Sequence, residues 1–496
     1  MRAQAFAVRA AALLLAAACL GTVAGCGGTK TPQSSTPSGS TPASDPSGVL
    51  PTDTSAATAD TNTTTQPAGT TGGKGGSTVS NTTVPTAGTK ATAATASKTA
   101  AGTKTEQTGH LSRSDTSVEP VRSLSEIMAS LSAAQLTCGS YDREKYLTPY
   151  WKGNIVYNEA VNFIRDAKTG AASAPLLFKA DKILEVRNAK LDVVYEEGKD
   201  YVYENGQLTL PEGSRIHAFS YGEIYFKNEK AGACFPLKAG GYTLFREGTY
   251  FHEQQIAVTY VHGEPWRGYK PAYQGALLPN VIRRLKNGED VSIVYLGDSI
   301  TKGGNASGMF GVAPKMPVWT DMVTSALKAA YPKAKITSFS ASENGATTVQ
   351  ALKNLRTLCS AQKPDLVIIG FGMNDGTDKS LTPERFRSNI RSIMETNDAL
   401  CGKPCDYLLL STTLPNPEIV LGNAAYHTQY AEVLYQLERQ GVAGKSGGVV
   451  VGDMTAVHQV LLQHKRFFDM TANNVNHPND FLVRAYAQLV CTMLIE

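Results

Sequence analysis

The chain has 496 residues, 42% of them hydrophobic, with 47 basic and 43 acidic side chains. That is enough apolar material for a sizeable core. A formal net charge of +4, with lysines scattered and no basic helix or aromatic-basic motif, argues against a nucleic-acid partner.

In chain order, the first element is a leader. Arg2 and Arg9 precede the apolar run Ala10 to Leu20, and Val23-Ala24-Gly25-Cys26 ends it, the layout of a secretory signal over residues 1–25. Those last four residues resemble a bacterial lipobox. The resemblance implies that Cys26 is lipidated and that the protein is exported, anchored to the membrane and facing outside. The run is too short for a confident transmembrane helix. Residues 26–118 are almost entirely Thr, Ser, Ala, Gly, Pro and Lys. Such a segment buries too little surface to offset the entropy of ordering, so a disordered tether is expected, with a mean reach on the order of 50 Å.

Residues 119–275 change character. Segments 183–186 and 191–195 suggest short strands, and Asn205-Gly206 between two alternating runs predicts a hairpin with a type I′ turn. A β-sandwich or jelly-roll-like accessory domain is the expectation. Trp151 and Trp266 are available to stack on sugar rings, although aromatics in a β-module more often belong to its core.

Residues 276–496 alternate strands and helices. Strands are expected at 291–296, 336–339, 366–370, 407–411 and 449–451, with helices after Pro317 and from Pro383. This βαβ order predicts an α/β, doubly wound parallel sheet of flavodoxin-like type, with its site at the C-terminal strand ends.

Four segments of this region carry chemistry. Val291-Ser-Ile-Val-Tyr-Leu-Gly-Asp-Ser299 is a buried strand that delivers a serine hydroxyl into a turn. Asn344-Gly345 follows the second strand, Gly372-Met373-Asn374-Asp375 the third, and His477 stands immediately before Pro478. Ester hydrolysis needs a nucleophile, a base and donors aimed at the developing oxyanion. Ser299 and His477 suit the first two roles. Gly345, without a Cβ, allows close approach of its N–H, and Asn374 carries a side-chain amide donor. Asp298 and Asp375 are better suited to capping and loop bracing.

Together these four segments, in this order and spacing, resemble the four blocks of the SGNH (GDSL-type) hydrolases over roughly residues 280–496. The resemblance implies a catalytic Ser299 and His477, and an oxyanion hole formed by the Ser299 and Gly345 N–H groups and the Asn374 side chain. Carbohydrate esterases of this clan make a small acyl ester, such as an acetylated polysaccharide, the expected substrate. Some of them carry a β-module ahead of the hydrolase. One position departs from the pattern. Family members usually carry aspartate three residues before the histidine, where this chain has Asn474. An amide can orient the imidazole but cannot balance its charge. Asn474 or a backbone carbonyl in a Ser-His dyad is therefore the first choice of orienter, with Asp469 and Asp480 as nearby acids. An inactive glycan-binding relative, and a lipase or thioesterase for longer acyl chains, are the rival readings.

Other patterns lack context. Gly444-Lys445-Ser446-Gly447-Gly448 precedes a strand instead of following one, and Arg439 stands where a phosphate loop needs its first glycine. Histidines 252, 262, 427, 458 and 464 have no metal-ligand spacing, so neither a metal nor a cofactor is expected. Export permits disulfides, with Cys401 and Cys405 a candidate local pair; Cys359 and Cys491 fit equally well as buried thiols.

Overall fold

The computed structural model describes residue 112, residues 114–441 and residues 447–496. The leader, Cys26, the tether through residue 111 and Gly444 to Ser446 of the glycine-rich loop lie outside the described residues.

Nine short strands come first: β1 (Ile155–Val161), β2 (Ser173–Pro175), β3 (Lys182–Asn188), β4 (Val202–Glu204), β5 (Gln207–Thr209), β6 (Tyr225–Phe226), β7 (Cys234–Pro236), β8 (Tyr242–Leu244) and β9 (Ile256–Val261). They form three antiparallel sheets of three strands each, in the orders β1-β9-β3, β2-β5-β4 and β6-β8-β7. The expected hairpin is β4–β5, and Asn205 and Gly206 both take positive φ (53° and 78°), as a type I′ turn requires. Segment 191–195 is not a strand. Leu191 has φ 65°, and the Asn188 side chain accepts the Asp192 and Val193 N–H groups, closing a turn that an extended chain could not make.

Five parallel strands follow: β10 (Val291–Gly297), β11 (Ile336–Ser342), β12 (Leu366–Gly370), β13 (Asp406–Leu410) and β14 (Val449–Gly452). Their order is β11-β10-β12-β13-β14. Alternate residues feed opposite faces. Ile293, Tyr295, Ile368 and Leu408 pack with helices Pro279–Asn287, Trp319–Ala330, Met454–His464 and Asp480–Leu494. Val294, Leu296, Val367 and Leu409 pack with helices Thr348–Leu358, Pro383–Cys401 and Ala424–Gln440. The doubly wound architecture follows from this division, and the order reverses at β10, the strand that carries the Gly-Asp-Ser turn.

The β-rich segment is built of small sheets, two of the three having strands of only two or three residues. Its apolar residues share a core with the α/β part: Val156, Val161, Phe163, Val258 and Tyr260 lie in one cluster with Phe481, Tyr486 and Leu489 of the last helix. Trp151 and Trp266 are buried, 6.2 Å apart between ring centroids, and belong to this core. The two segments are also joined by buried charge. Lys465 Nζ donates to Glu159 Oε1 at 2.6 Å and to the Ala160 carbonyl at 3.0 Å, with both side chains fully buried. Glu159 also accepts the Leu177 N–H and the Tyr260 hydroxyl. Arg484, buried against Tyr146 and Phe481, donates to the Tyr157 and Asn158 carbonyls.

The six cysteines among the described residues are free thiols. Cys401 and Cys405 are not a pair: the Cys401 thiol donates to Asn397 Oδ1 and the Cys405 thiol to the Asp406 carbonyl.

Breaking a buried pair from one side leaves an uncompensated charge. Lys465→Met is expected to lower unfolding free energy by about 3–5 kcal/mol in urea titrations, and Glu159→Gln/Lys465→Met to recover much of that loss.

Candidate active site

The site begins at the C-terminal end of β10. In the sheet register Gly297 pairs with Ser342 of β11 and with Gly370 of β12, so the loops carrying Ser299, Gly345 and Asn374 leave three adjacent strand ends. Gly297 has no alternative here, since a Cβ would sit 2.1 Å from Thr301 Oγ1 and 2.4 Å from the Gly370 carbonyl oxygen. Asp298 caps the short helix Ser299–Lys302 by accepting the Ile300 N–H at 2.9 Å. Burial pushes its carboxyl up to about 7, against the cap hydrogen bonds that favour the anion.

The second and third loops are tied together. Gly345 has φ 71°, the left-handed conformation that glycine adopts without strain. Asn374 Nδ2 donates to the Ala346 carbonyl at 3.0 Å, which fixes the amide next to Gly345 and leaves its second N–H for another acceptor. Asp375 Oδ1 accepts both the N–H and the hydroxyl of Thr348, bracing the start of the helix Thr348–Leu358; burial raises its carboxyl to about 6.

His477 arrives from the loop before the last helix. Asn473 Oδ1 accepts the N–H groups of Val475, Asn476 and His477, each at 3.0 Å, and so winds the loop around one side chain. The result places His477 Nε2 2.9 Å from Ser299 Oγ, with both residues buried at 3% and 4% exposure. Ser299, His477, Gly345 and Asn374 thus all belong to one set of loops at the strand ends.

Asn474 does not join them. Its φ of 63° turns the side chain toward β8, where Nδ2 donates to Thr243 Oγ1 and the Leu244 carbonyl, each at 2.9 Å. Its Oδ1 accepts from Asn416. Asp469 is occupied by Arg466 and the Asn162 N–H, and Asp480 by the Ser307 N–H.

Around His477 Nδ1 the structure instead places Asn305 Oδ1 at 2.8 Å and Glu247 Oε2 at 3.3 Å. Neither residue is marked by spacing to the histidine. Asn305 follows the Gly303-Gly304 turn after Ser299, and Glu247 comes from the loop after β8, in the β-rich segment. Asn473 Nδ2 holds Glu247 Oε1 at 2.8 Å, and Asn305 Nδ2 holds Oε2 at 3.1 Å. Burial alone would raise the Glu247 carboxyl, but the adjacent imidazole and these donors outweigh it and bring it to about 2. For His477, burial works against the imidazolium, while Glu247 and then Asp298 favour it; the net direction is upward. The one sequence clue to Glu247 was indirect: Asn474 left the imidazolium without an anion.

The family model of the GDSL-like lipases and acylhydrolases matches residues 295–481. Residues 295–481 are thus similar to the GDSL-like lipase/acylhydrolase family. The GDSL-like match contains Ser299, Gly345, Asn374 and His477 but ends short of Glu247 on the N-terminal side. No curated protein matches. Among solved structures, a two-domain esterase (CEX) active on acetylated mannans is 20% identical with a TM-score of 0.33, the match covering 42% of this chain and 50% of that one. The chain therefore spans about half the length of that esterase. Axe2, an acetylxylan esterase from Geobacillus stearothermophilus, is 19% identical with a TM-score of 0.34, over 42% of this chain and 94% of that one.

Because Asn473 organises the loop and Asn474 faces away, the two neighbours should behave differently. Asn473→Ala is expected to lower kcat for a test ester at least about 10-fold, through a misplaced base. Asn474→Ala should cost stability but leave the pH dependence of kcat/KM where it is in the wild type. Thermal melts and pH–rate profiles of the two variants check this.

Proposed function

We propose that the protein is an exported serine esterase that removes small acyl groups, acetyl above all, from a polysaccharide. The observation that carries the reading is the 2.9 Å contact between Ser299 Oγ and His477 Nε2, buried at the C-terminal strand ends of a GDSL-like domain. In the reaction His477 Nε2 takes the Ser299 proton as Oγ bonds to the ester carbonyl carbon. Negative charge gathers on the carbonyl oxygen, where the N–H groups of Ser299 and Gly345 and the Asn374 amide are the candidate donors. The intermediate collapses, the C–O bond to the alcohol breaks, and the imidazolium gives its proton to the leaving oxygen. Water then repeats the sequence on the acyl-enzyme and frees Ser299 and the carboxylic acid.

The sequence shows no long apolar lid segment, which favours a small acyl group. The solved structures that act on acetylated mannans and acetylxylan agree with this choice of substrate. Export and anchoring rest on the Arg2 to Cys26 leader, with the Thr/Ser-rich tether giving the enzyme reach from the membrane. Among the described residues no helix is long and apolar enough to cross a membrane.

The test is hydrolysis of p-nitrophenyl acetate, butyrate and octanoate by the full chain and by Ser299→Ala, with acetate release from acetylated mannan and xylan. Turnover falling with chain length and lost in Ser299→Ala is expected. A preference for octanoate would favour the lipase reading, and a folded wild type that binds glycan without turnover would favour the binding-protein reading.

A further inference from the structure

The reading of Ser299 and His477 as nucleophile and base leaves open what supports the base in a chain without the usual aspartate. We infer that two residues share that work: Asn305 fixes the imidazole tautomer, and Glu247, supplied by the β-rich segment, is the counter-charge for the imidazolium. Both are positioning residues that act through His477.

The division follows from which atoms are already committed. Asn305 Nδ2 donates to Glu247 Oε2 and to the Gly248 carbonyl, each at 3.1 Å, so the amide end facing His477 is its oxygen. An amide oxygen 2.8 Å from Nδ1 is an acceptor only, so Nδ1 carries the proton and Nε2 is left free to accept from Ser299. This holds the tautomer that a general base needs. It does nothing for the charge, because Asn305 is neutral.

Glu247 has the complementary properties. At 3.3 Å from Nδ1 it is slightly longer than the amide contact, yet close enough to act as an anion. Asn473 and Asn305 bind one oxygen each, so the carboxylate is held in place before the imidazolium forms. Asn473 also accepts the His477 N–H, which ties the position of the anion to the loop that positions the base. The other acidic group that acts on His477 is Asp298, whose Oδ1 is occupied by the helix cap it makes. The β-rich segment is therefore part of the active site, and a hydrolase domain cut free at residue 276 would lack its anion.

The experiment measures kcat/KM for p-nitrophenyl acetate against pH with the full chain, for wild type, Ser299→Ala, Glu247→Gln, Asn305→Asp and Glu247→Gln/Asn305→Asp, each checked for folding by circular dichroism. Because only neutral His477 is a base, activity rises with pH through its titration. Glu247→Gln keeps the tautomer but removes the anion, so kcat/KM should fall about 10- to 1,000-fold and the acidic limb should move to lower pH. Asn305→Asp alone sets a second carboxyl beside Glu247, where the two share a proton, so one negative charge stays next to His477 and the limb should keep its wild-type position. The double variant relocates the single charge to the nearer position and should regain at least 10-fold over Glu247→Gln, about 1.4 kcal/mol of barrier. A merely structural Glu247 would show neither the shift nor the rescue. Wild-type kcat/KM and an unmoved limb in Glu247→Gln, with Ser299→Ala dead, would overturn this inference and leave the esterase reading standing. If Glu247→Gln does not fold, an unmoved limb in Glu247→Ala overturns it equally. An inactive, folded wild type would instead remove the esterase reading itself.

Discussion

One partly buried anion ties together the loops around His477. Glu247 lies beside His477, and each favours the charged form of the other against the cost of burial. A carboxylate in such a place has to be tied down from several directions, because an unpaired charge out of water costs several kcal/mol. Asn305 and Asn473 provide the ties. Much of the asparagine-rich loop before the last helix follows from that need. Asn473 donates to the anion and accepts three N–H groups of its own loop, while Asn474 turns away to anchor the loop on β8.

The same constraint explains why the β-rich segment is fused into the hydrolase instead of standing apart. A counter-charge held 3.3 Å from His477, as we infer for Glu247, cannot ride on a loosely attached module. The shared apolar cluster, the Lys465–Glu159 pair and the Arg484 contacts to the Tyr157 and Asn158 carbonyls give the necessary rigidity. These contacts lie on the face of the sheet that carries the first and last helices, and the last helix begins three residues after His477.

How much was legible in the sequence depended on the range of the interaction. Four of the five parallel strands were legible because each is a short β-branched or leucine-rich run covered on both faces, whereas the edge strand β11 exposes Thr337 to Ser340. The Asn205-Gly206 hairpin was legible because its turn needs two positive φ angles. Ser299, Gly345, Asn374 and His477 stood out because each follows a strand or precedes a helix at a fixed distance. Glu247 and Asn305 did not. Their roles depend on a fold that brings distant loops together, and one acid in a loop looks like any other. Asn474 was misleading for a related reason: sequence distance from a histidine says little about direction once a left-handed residue intervenes. Short strands with alternating patterns did not reveal that their apolar side shares a core with the last helix.

The most direct test of the account is the ionisation of His477 itself, followed by nitrogen-15 NMR of histidine-labelled protein, with the signal assigned by its loss in His477→Gln. The account predicts an Nδ1–H tautomer in the neutral form and a titration above the ordinary histidine value of about 6.5, falling when Glu247 is replaced by glutamine. A His477 that titrates identically with and without Glu247, or that carries its proton on Nε2, would contradict it.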